Sequence, residues 1–302
     1  MFNIFKKLNL GSKIGVVLPS GVLTRLQYEQ INQGLKHLGF EPVWAKNAQA
    51  KYGYLAGEDC LRAEAFMELW KDLSISLIWC ARGGYGACRI LDRLDFDFMK
   101  KNPKILIGMS DITALHCAFA KKVDYPTFLG PNLSLLFGKK DQVTWHMQTD
   151  TLNYLSTFEK SCQIHSCEWI AQGKANAPLM GGNLSVLTSL IGTAWLPTLK
   201  DKILLIEEVN EAPYRIDRML YQLEHCGVLS SLKGVILASF ENCTPSLNQE
   251  SLDLKHIFTH YFKSKNYPVL LGFPSGHINY QKTIPLGVNL QMNSEDGCLF
   301  LN

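Results

Sequence analysis

A chain of 302 residues with 47% hydrophobic and 19% charged side chains carries enough apolar surface to bury a sizeable core, which excludes disorder as the main reading and leans towards two domains. Lys plus Arg total 30 against 27 for Asp plus Glu, a net charge of +3. No basic run exceeds the doublets Lys6-Lys7, Lys121-Lys122 and Lys139-Lys140, so there is no stripe to track phosphates and nucleic acid is not an expected partner.

The longest nearly apolar segments, such as Ile75 to Ala81 and Ile203 to Ile206, fall far short of the roughly 20 residues needed to span a bilayer, so no membrane association is expected. Lys6 and Lys7 are followed by Gly11-Ser12-Lys13 rather than by an apolar run, which argues against a cleaved secretion signal. Nine cysteines (60, 80, 88, 117, 162, 167, 226, 243, 298) are scattered without CxxC pairs, several inside apolar segments. That pattern predicts packing thiols in a reducing, cytoplasmic setting.

In chain order, Ile14 to Leu18 reads as a buried strand closed by Pro19-Ser20-Gly21, and Tyr28, Ile31, Leu35 and Leu38 recur at helical spacing until Gly39. The alternation continues with a helix around Arg62 to Trp70, a strand at Ile75 to Cys80, a glycine-rich turn, a helix from about Ala87, a strand at Ile105 to Ile107 and a helix after Asp111. Strands alternating with helices predict a mostly parallel, doubly wound α/β sheet. From about Gly138 to Gly173 the periodicity weakens, which predicts a connecting segment between two domains. Beyond it come a helical stretch around Asn183 to Ile191, a strand at Ile203 to Ile206, and a helix carrying Ile216, Leu220 and Leu223. A strand at Gly234 to Phe240 and a turn-rich end complete an α+β domain, with no internal repeat.

Four places carry residues suited to chemistry. Ile105 to Thr113 is a strand, a tight turn at Gly108-Met109-Ser110 and a helix start, a geometry that lifts a serine hydroxyl above a sheet edge and aims the next backbone N–H at a developing oxyanion. Ile112 stands where G-x-S-x-G would have its second glycine, and a Ser-Asp pair at a helix start also serves as an N-cap. Arg82-Gly83-Gly84-Tyr85-Gly86 lets backbone N–H groups approach a ligand, or is simply a tight strand-to-helix turn. Glu207-Glu208 ends a strand where residues line a crevice, although such pairs are often solvated, and His277 sits in the rigid turn Phe273-Pro274-Ser275-Gly276 or is a surface histidine. Cys162, His165 and Cys167 form only part of a metal cluster, and Ile257 between His256 and His260 stands where a zinc protease motif has glutamate, so no metal is predicted.

Taken together, these blocks resemble the LD-carboxypeptidases, a serine peptidase family that includes murein tetrapeptide carboxypeptidases and microcin C immunity hydrolases. The resemblance rests on Val17-Leu-Pro19-Ser20, Gly53-Tyr54-Leu55-Ala56-Gly57, Ala81 to Gly86, Pro103 to His116, Gly181-Gly182-Asn183-Leu184, Ile206-Glu207-Glu208-Val209, Pro213 to Arg218 and Gly272 to His277, in family order along nearly the whole chain. It implies Ser110 as nucleophile, His277 as general base and acid, and Glu207 as the carboxylate that orients the imidazole. It implies an oxyanion hole at the backbone N–H groups of Asp111 and Gly84; a free substrate carboxylate would also need a cationic recogniser, for which Arg82 and Arg215 are the candidates, each of which can equally be a structural ion-pair partner.

The same resemblance implies an N-terminal Rossmann-like, glutamine-amidotransferase-like domain over residues 1–140, a linker over 141–172, and a C-terminal swivelling α+β domain over 173–302. It implies hydrolysis of the bond between the diamino acid and terminal D-Ala of murein tetrapeptide through an acyl-enzyme, in cytoplasmic cell-wall recycling, without metal or organic cofactor and often as a homodimer. The family's common Glu-Asp and His-Gly-Pro are replaced here by Glu207-Glu208 and Leu129-Gly130-Pro131. Two alternatives accompany this expectation. One is an immunity-type hydrolase of acyl-adenylate analogues, whose members tend to be longer; the other is a non-catalytic ligand-binding module in which Ser110 is an N-cap.

Overall fold

The computed structural model describes residues 2–301 apart from 7, 140, 159, 160, 163–166 and 246–249. The chain divides into two compact units, residues 1–159 with 279–285, and residues 160–278 with 286–302.

The first unit carries β1 (Lys13–Val17), α1 (Arg25–His37), β2 (Glu41–Trp44), α2 (Asp59–Lys71), β3 (Ile75–Cys80), α3 (Phe96–Lys101), β4 (Ile105–Gly108), α4 (Thr113–Lys122), β5 (Thr127–Leu129), α5 (Leu133–Leu136) and α6 (Gln142–Thr157). Then follow β6 (Ser161–Cys162), β7 (Glu168–Ala171), β8 (Lys174–Asn183), α7 (Leu184–Ser189), β9 (Ile203–Val209), α8 (Pro213–His225), α9 (Val228–Ser231), β10 (Gly234–Glu241), α10 (Leu254–Phe262) and β11 (Val269–Leu271). The last strands are β12 (Ile284–Leu286), β13 (Asn289–Asn293) and β14 (Cys298–Leu301).

The first sheet runs β12-β5-β4-β3-β1-β2, with every pair from β5 to β2 parallel, as a doubly wound α/β layout requires. Its central strands are buried on both faces: Ile14, Val16, Leu77, Trp79, Ile105 and Ile107 line one side and Val17, Ile78, Cys80 and Leu106 the other, each fully buried large apolar side chain contributing about 1.5–3 kcal/mol. Helix α1 starts where Thr24 and Gln27 form a reciprocal capping box, buries Ile31 and Leu35, and stops at Leu38 before Gly39. The helix expected from about Ala87 is a 3-10 helix over residues 87–93.

The second sheet runs β6-β14-β13-β8-β9-β10-β11-β7, parallel from β8 to β11 and antiparallel outside them. Helix α8 begins with Pro213 at its first turn and buries Ile216, Leu220 and Leu223, the spacing that marks it in the sequence.

The stretch expected as a connecting segment is structured over much of its length. Helix α6 occupies residues 142–157 in the first unit, and its buried stripe is Thr144, Met147, Thr151 and Leu155. Two threonines in a four-residue stripe erase the apolar signal that reveals a helix. A second departure lies near the end of the chain, where residues 279–285 rejoin the first unit and β12 takes the sheet edge beside β5.

Candidate active site

The candidate nucleophile sits on the elbow after β4. Met109 is extended, and Ser110 follows with φ of +65°, a left-handed conformation that few residues other than glycine adopt without strain. An N-cap residue sits in the extended region instead, so the capping alternative does not describe Ser110. Residues 110–112 form a 3-10 turn that leads straight into α4.

Several side chains hold this turn. Asn132 brackets Met109, accepting from its N–H at 3.2 Å and donating to its carbonyl at 3.3 Å. Gln281, fully buried on the returning segment, donates to Met109 Sδ at 2.9 Å. Asp111 is 2% exposed, and its Oδ2 accepts from Ser20 Oγ at 2.6 Å and from Ala87 N–H at 2.7 Å. Burial pushes its carboxyl above the ordinary value, against the lowering effect of those two donors and of Arg62. Behind the strand, His116 is fully buried, its Nε2 donating to Gly108 O at 3.0 Å while Nδ1 accepts from Thr127 Oγ1 at 2.8 Å.

The glycine turn after β3 meets the elbow through Gly83. A methyl built on Gly83 would lie 2.9 Å from Ser110 Cβ and 3.1 Å from its Oγ, so the turn packs onto the serine with no room for a side chain. Gly83 O accepts from Gly21 N–H at 3.1 Å, which fixes the turn against the loop that follows β1. Gly84, the expected oxyanion donor, is the next residue, with φ of +111°. Arg82 donates from Nη1 to Val22 O at 2.7 Å, so one arm of its guanidinium anchors a loop.

In the second unit, Glu207 and His277 are brought together. Glu207 is fully buried on β9, and its Oε2 lies 2.8 Å from His277 Nδ1. Gly276 makes this approach feasible. Its φ is +117°, and a methyl there would fall 2.2 Å from Ser239 Oγ and 2.9 Å from Glu207 Oε2. Burial draws the His277 imidazole down, but the hydrogen bond and charge of Glu207, with the charge of Glu208, outweigh it and hold the ring above its ordinary value.

The neighbouring Glu208 points elsewhere. Its Oε1 accepts from Asn183 Nδ2 at 2.9 Å and from Val209 N–H at 2.9 Å, and its Oε2 accepts from Ser185 N–H at 2.8 Å. It therefore anchors the start of α7, and burial raises its carboxyl above the usual range despite these donors.

The remaining sequence candidates take simpler places. Arg215 is half-exposed on α8, paired with Glu211 at 3.3 Å and bonded to Tyr214 Oη at 3.1 Å. His256 is exposed and pairs with Asp253 at 2.9 Å as part of the start of α10. His165 lies outside the described residues, as does the side chain of Cys162. Sequence reading missed Asn132 and Gln281 at the elbow, and singled out Gly83 only as part of the glycine turn, not as the residue that packs on Ser110. Only Gly83 carried a signal, as one of three glycines following a strand.

Sequence models of the LD-carboxypeptidase N-terminal domain and LD-carboxypeptidase C-terminal domain match residues 14–130 and 176–292. A probable murein peptide carboxypeptidase of Bacillus subtilis (strain 168) is 35% identical over 96% of this chain and 92% of its own length. Among solved structures, muramoyltetrapeptide carboxypeptidase from Oxalobacter formigenes superposes with a TM-score of 0.81 and 26% identity over 96% of this chain and 97% of that one. The microcin C7 self-immunity protein MccF, in complex with aspartyl sulfamoyl adenosine, gives a TM-score of 0.89 and 26% identity over 99% and 98% of the two chains.

Proposed function

The chain belongs to the LD-carboxypeptidase family, and from that membership we propose that it is a serine carboxypeptidase that removes the terminal D-Ala from murein tetrapeptide. The observation that carries the reading is the 2.8 Å contact between His277 Nδ1 and the buried Glu207. With Nδ1–H donated to the carboxylate, Nε2 carries the lone pair, the tautomer a general base needs.

In this reading Ser110 is the nucleophile and the strained elbow presents its hydroxyl. His277 Nε2 takes the proton as Ser110 Oγ bonds to the carbonyl carbon, and backbone N–H groups of Asp111 and Gly84 hold the oxyanion. Collapse breaks the bond to the amine nitrogen of D-Ala, which leaves with the proton from the imidazolium. Water then attacks the acyl-enzyme, giving its proton to His277 and releasing the peptide acid and the Ser110 hydroxyl. Every step uses side-chain or backbone groups of the chain, without metal or organic cofactor. Ser110 belongs to the unit of residues 1–159 with 279–285, and Glu207 and His277 to that of residues 160–278 with 286–302.

Nine cysteines scattered without CxxC pairs, several inside apolar segments, support a reducing compartment and hence a cytoplasmic role in cell-wall recycling. The family resemblance extends the proposal to a homodimer.

A second reading, hydrolysis of acyl-adenylate analogues by the same groups, is favoured by the TM-score of 0.89 to MccF. Chain length does not separate the two readings, because 98% of that MccF chain is covered. One assay does: incubation with murein tetrapeptide and, separately, with aspartyl sulfamoyl adenosine. The proposal expects D-Ala from wild type and none from Ser110→Ala. Release of aspartate alone would establish the second reading, and turnover of neither substrate would overturn both.

A further inference from the structure

β10 is irregular at one place. Its pairing with β9 sets Leu237 opposite Ile206 and Phe240 opposite Glu208, with a shift between them, so Ala238 and Ser239 together face Glu207. Two residues against one is a β-bulge, which re-aims a side chain and leaves a main-chain group to be satisfied elsewhere. Here the Ser239 N–H donates to Ser275 O at 3.1 Å, tying the bulge to the turn that carries His277.

The Ser239 hydroxyl is buried and has no hydrogen-bond partner among the described residues, and the same holds for Glu207 Oε1. Ser239 Oγ and the Glu207 side chain both crowd Gly276, where a methyl would lie 2.2 Å from Ser239 Oγ and 2.9 Å from Glu207 Oε2, the carboxylate oxygen that meets His277. A carboxylate oxygen can only accept, whereas a hydroxyl can donate, and a buried acceptor left without a donor costs about 1–3 kcal/mol or more.

We propose that Ser239 is a positioning residue whose hydroxyl donates to the free oxygen of Glu207, by rotation about χ1 or through one water, and so fixes the carboxylate plane in which Oε2 meets His277. The proposal rests on the reading of Glu207 and His277 as orienting carboxylate and base. Other ionisable groups near the pair are committed or neutral: Glu208 is bonded to Asn183, Ser185 and Val209, and burial pushes the Cys243 thiol up to about 11.

The test compares wild type, Ser239→Ala and Ser239→Thr, the last retaining the hydroxyl on a residue suited to a strand. The His277 titration is followed by NMR of the imidazole, and kcat and KM are followed against pH with murein tetrapeptide. Without the donor, the Glu207 charge is less stabilised while the ring is neutral, so imidazole protonation becomes more favourable. The Ser239→Ala midpoint is expected to rise by roughly half a pH unit, with kcat down about tenfold and KM unchanged, and Ser239→Thr to restore both. A folded Ser239→Ala protein whose His277 midpoint coincides with wild type would overturn the proposal. The NMR titration needs no turnover, so it decides the role of Ser239 even if wild type releases no D-Ala.

Discussion

Gly83 lies directly against Ser110, with 2.9 Å between the site of a methyl on the glycine and the serine Cβ. Gly83 is not in the left-handed region that would strain an alanine, so the conflict is one of space. Gly83→Ala is expected to push Ser110 aside, costing about 1–3 kcal/mol in stability and roughly 100-fold in kcat, because small misplacements of a reacting group are expensive. Thermal unfolding and steady-state kinetics check this. Full kcat in the folded variant would show that the elbow accommodates the methyl.

Glu207→Gln removes the charge that faces His277 but keeps the shape of the side chain. If Glu207 fixes the tautomer, kcat should fall by about 1,000- to 10,000-fold, the scale known for orienting carboxylates in other triads. The pH dependence should change in a defined direction. As the proposed base, His277 would act when neutral, and its raised value would place the acid limb of kcat/KM above the ordinary 6.5. Loss of the carboxylate leaves burial as the main influence, so the limb should move to lower pH. In wild type the pair also stabilises the fold below pH 6.5, a contribution lost as pH rises through the raised folded value. A profile unmoved in Glu207→Gln would contradict the pairing.

Arg215 and Arg82 are both tied within the protein, but differently. Arg82 holds a backbone carbonyl, whereas Arg215 shares an exposed ion pair with Glu211 that costs little to exchange for a substrate carboxylate. Arg215→Ala is therefore expected to raise KM for tetrapeptide roughly 10- to 100-fold with kcat nearly unchanged, the signature of lost uniform binding. Substrate titrations of the purified variant provide the measurement, and an unchanged KM would remove Arg215 from the binding role.

The parts of this fold that could be read from sequence are those with local causes. Strands β3 and β4 announce themselves by continuous apolar runs, and α1 and α8 by helical spacing with a capping box or an N-terminal proline. Helix α6 stayed hidden because threonines share its buried stripe. The return of residues 279–285 to the first unit depends on pairing between distant segments, which no local pattern encodes. The same division runs through the candidate site. Ser110 stands out at its elbow, but the choice between Glu207 and Glu208 rests on which side chain reaches His277 and which caps α7, and that follows from the β9 and β8 backbones.

His116 offers a stability test independent of substrate. It is fully buried, and desolvation lowers its value from 6.5 to about 4, against the raising effect of its bond to Gly108. Between those two pH values the unfolded chain binds a proton that the folded chain refuses, so stability falls as pH drops from about 6.5 to about 4 and is retained above. The window of some 2.5 pH units corresponds to roughly 3 kcal/mol. His116→Gln, whose amide can donate to Gly108 as Nε2 does, should flatten this part of the profile at some cost in packing. Urea unfolding of both proteins across the range supplies the difference, which cancels the carboxylates they share. Parallel profiles would mean that His116 is protonated in the folded state, with its bond to Thr127 reversed.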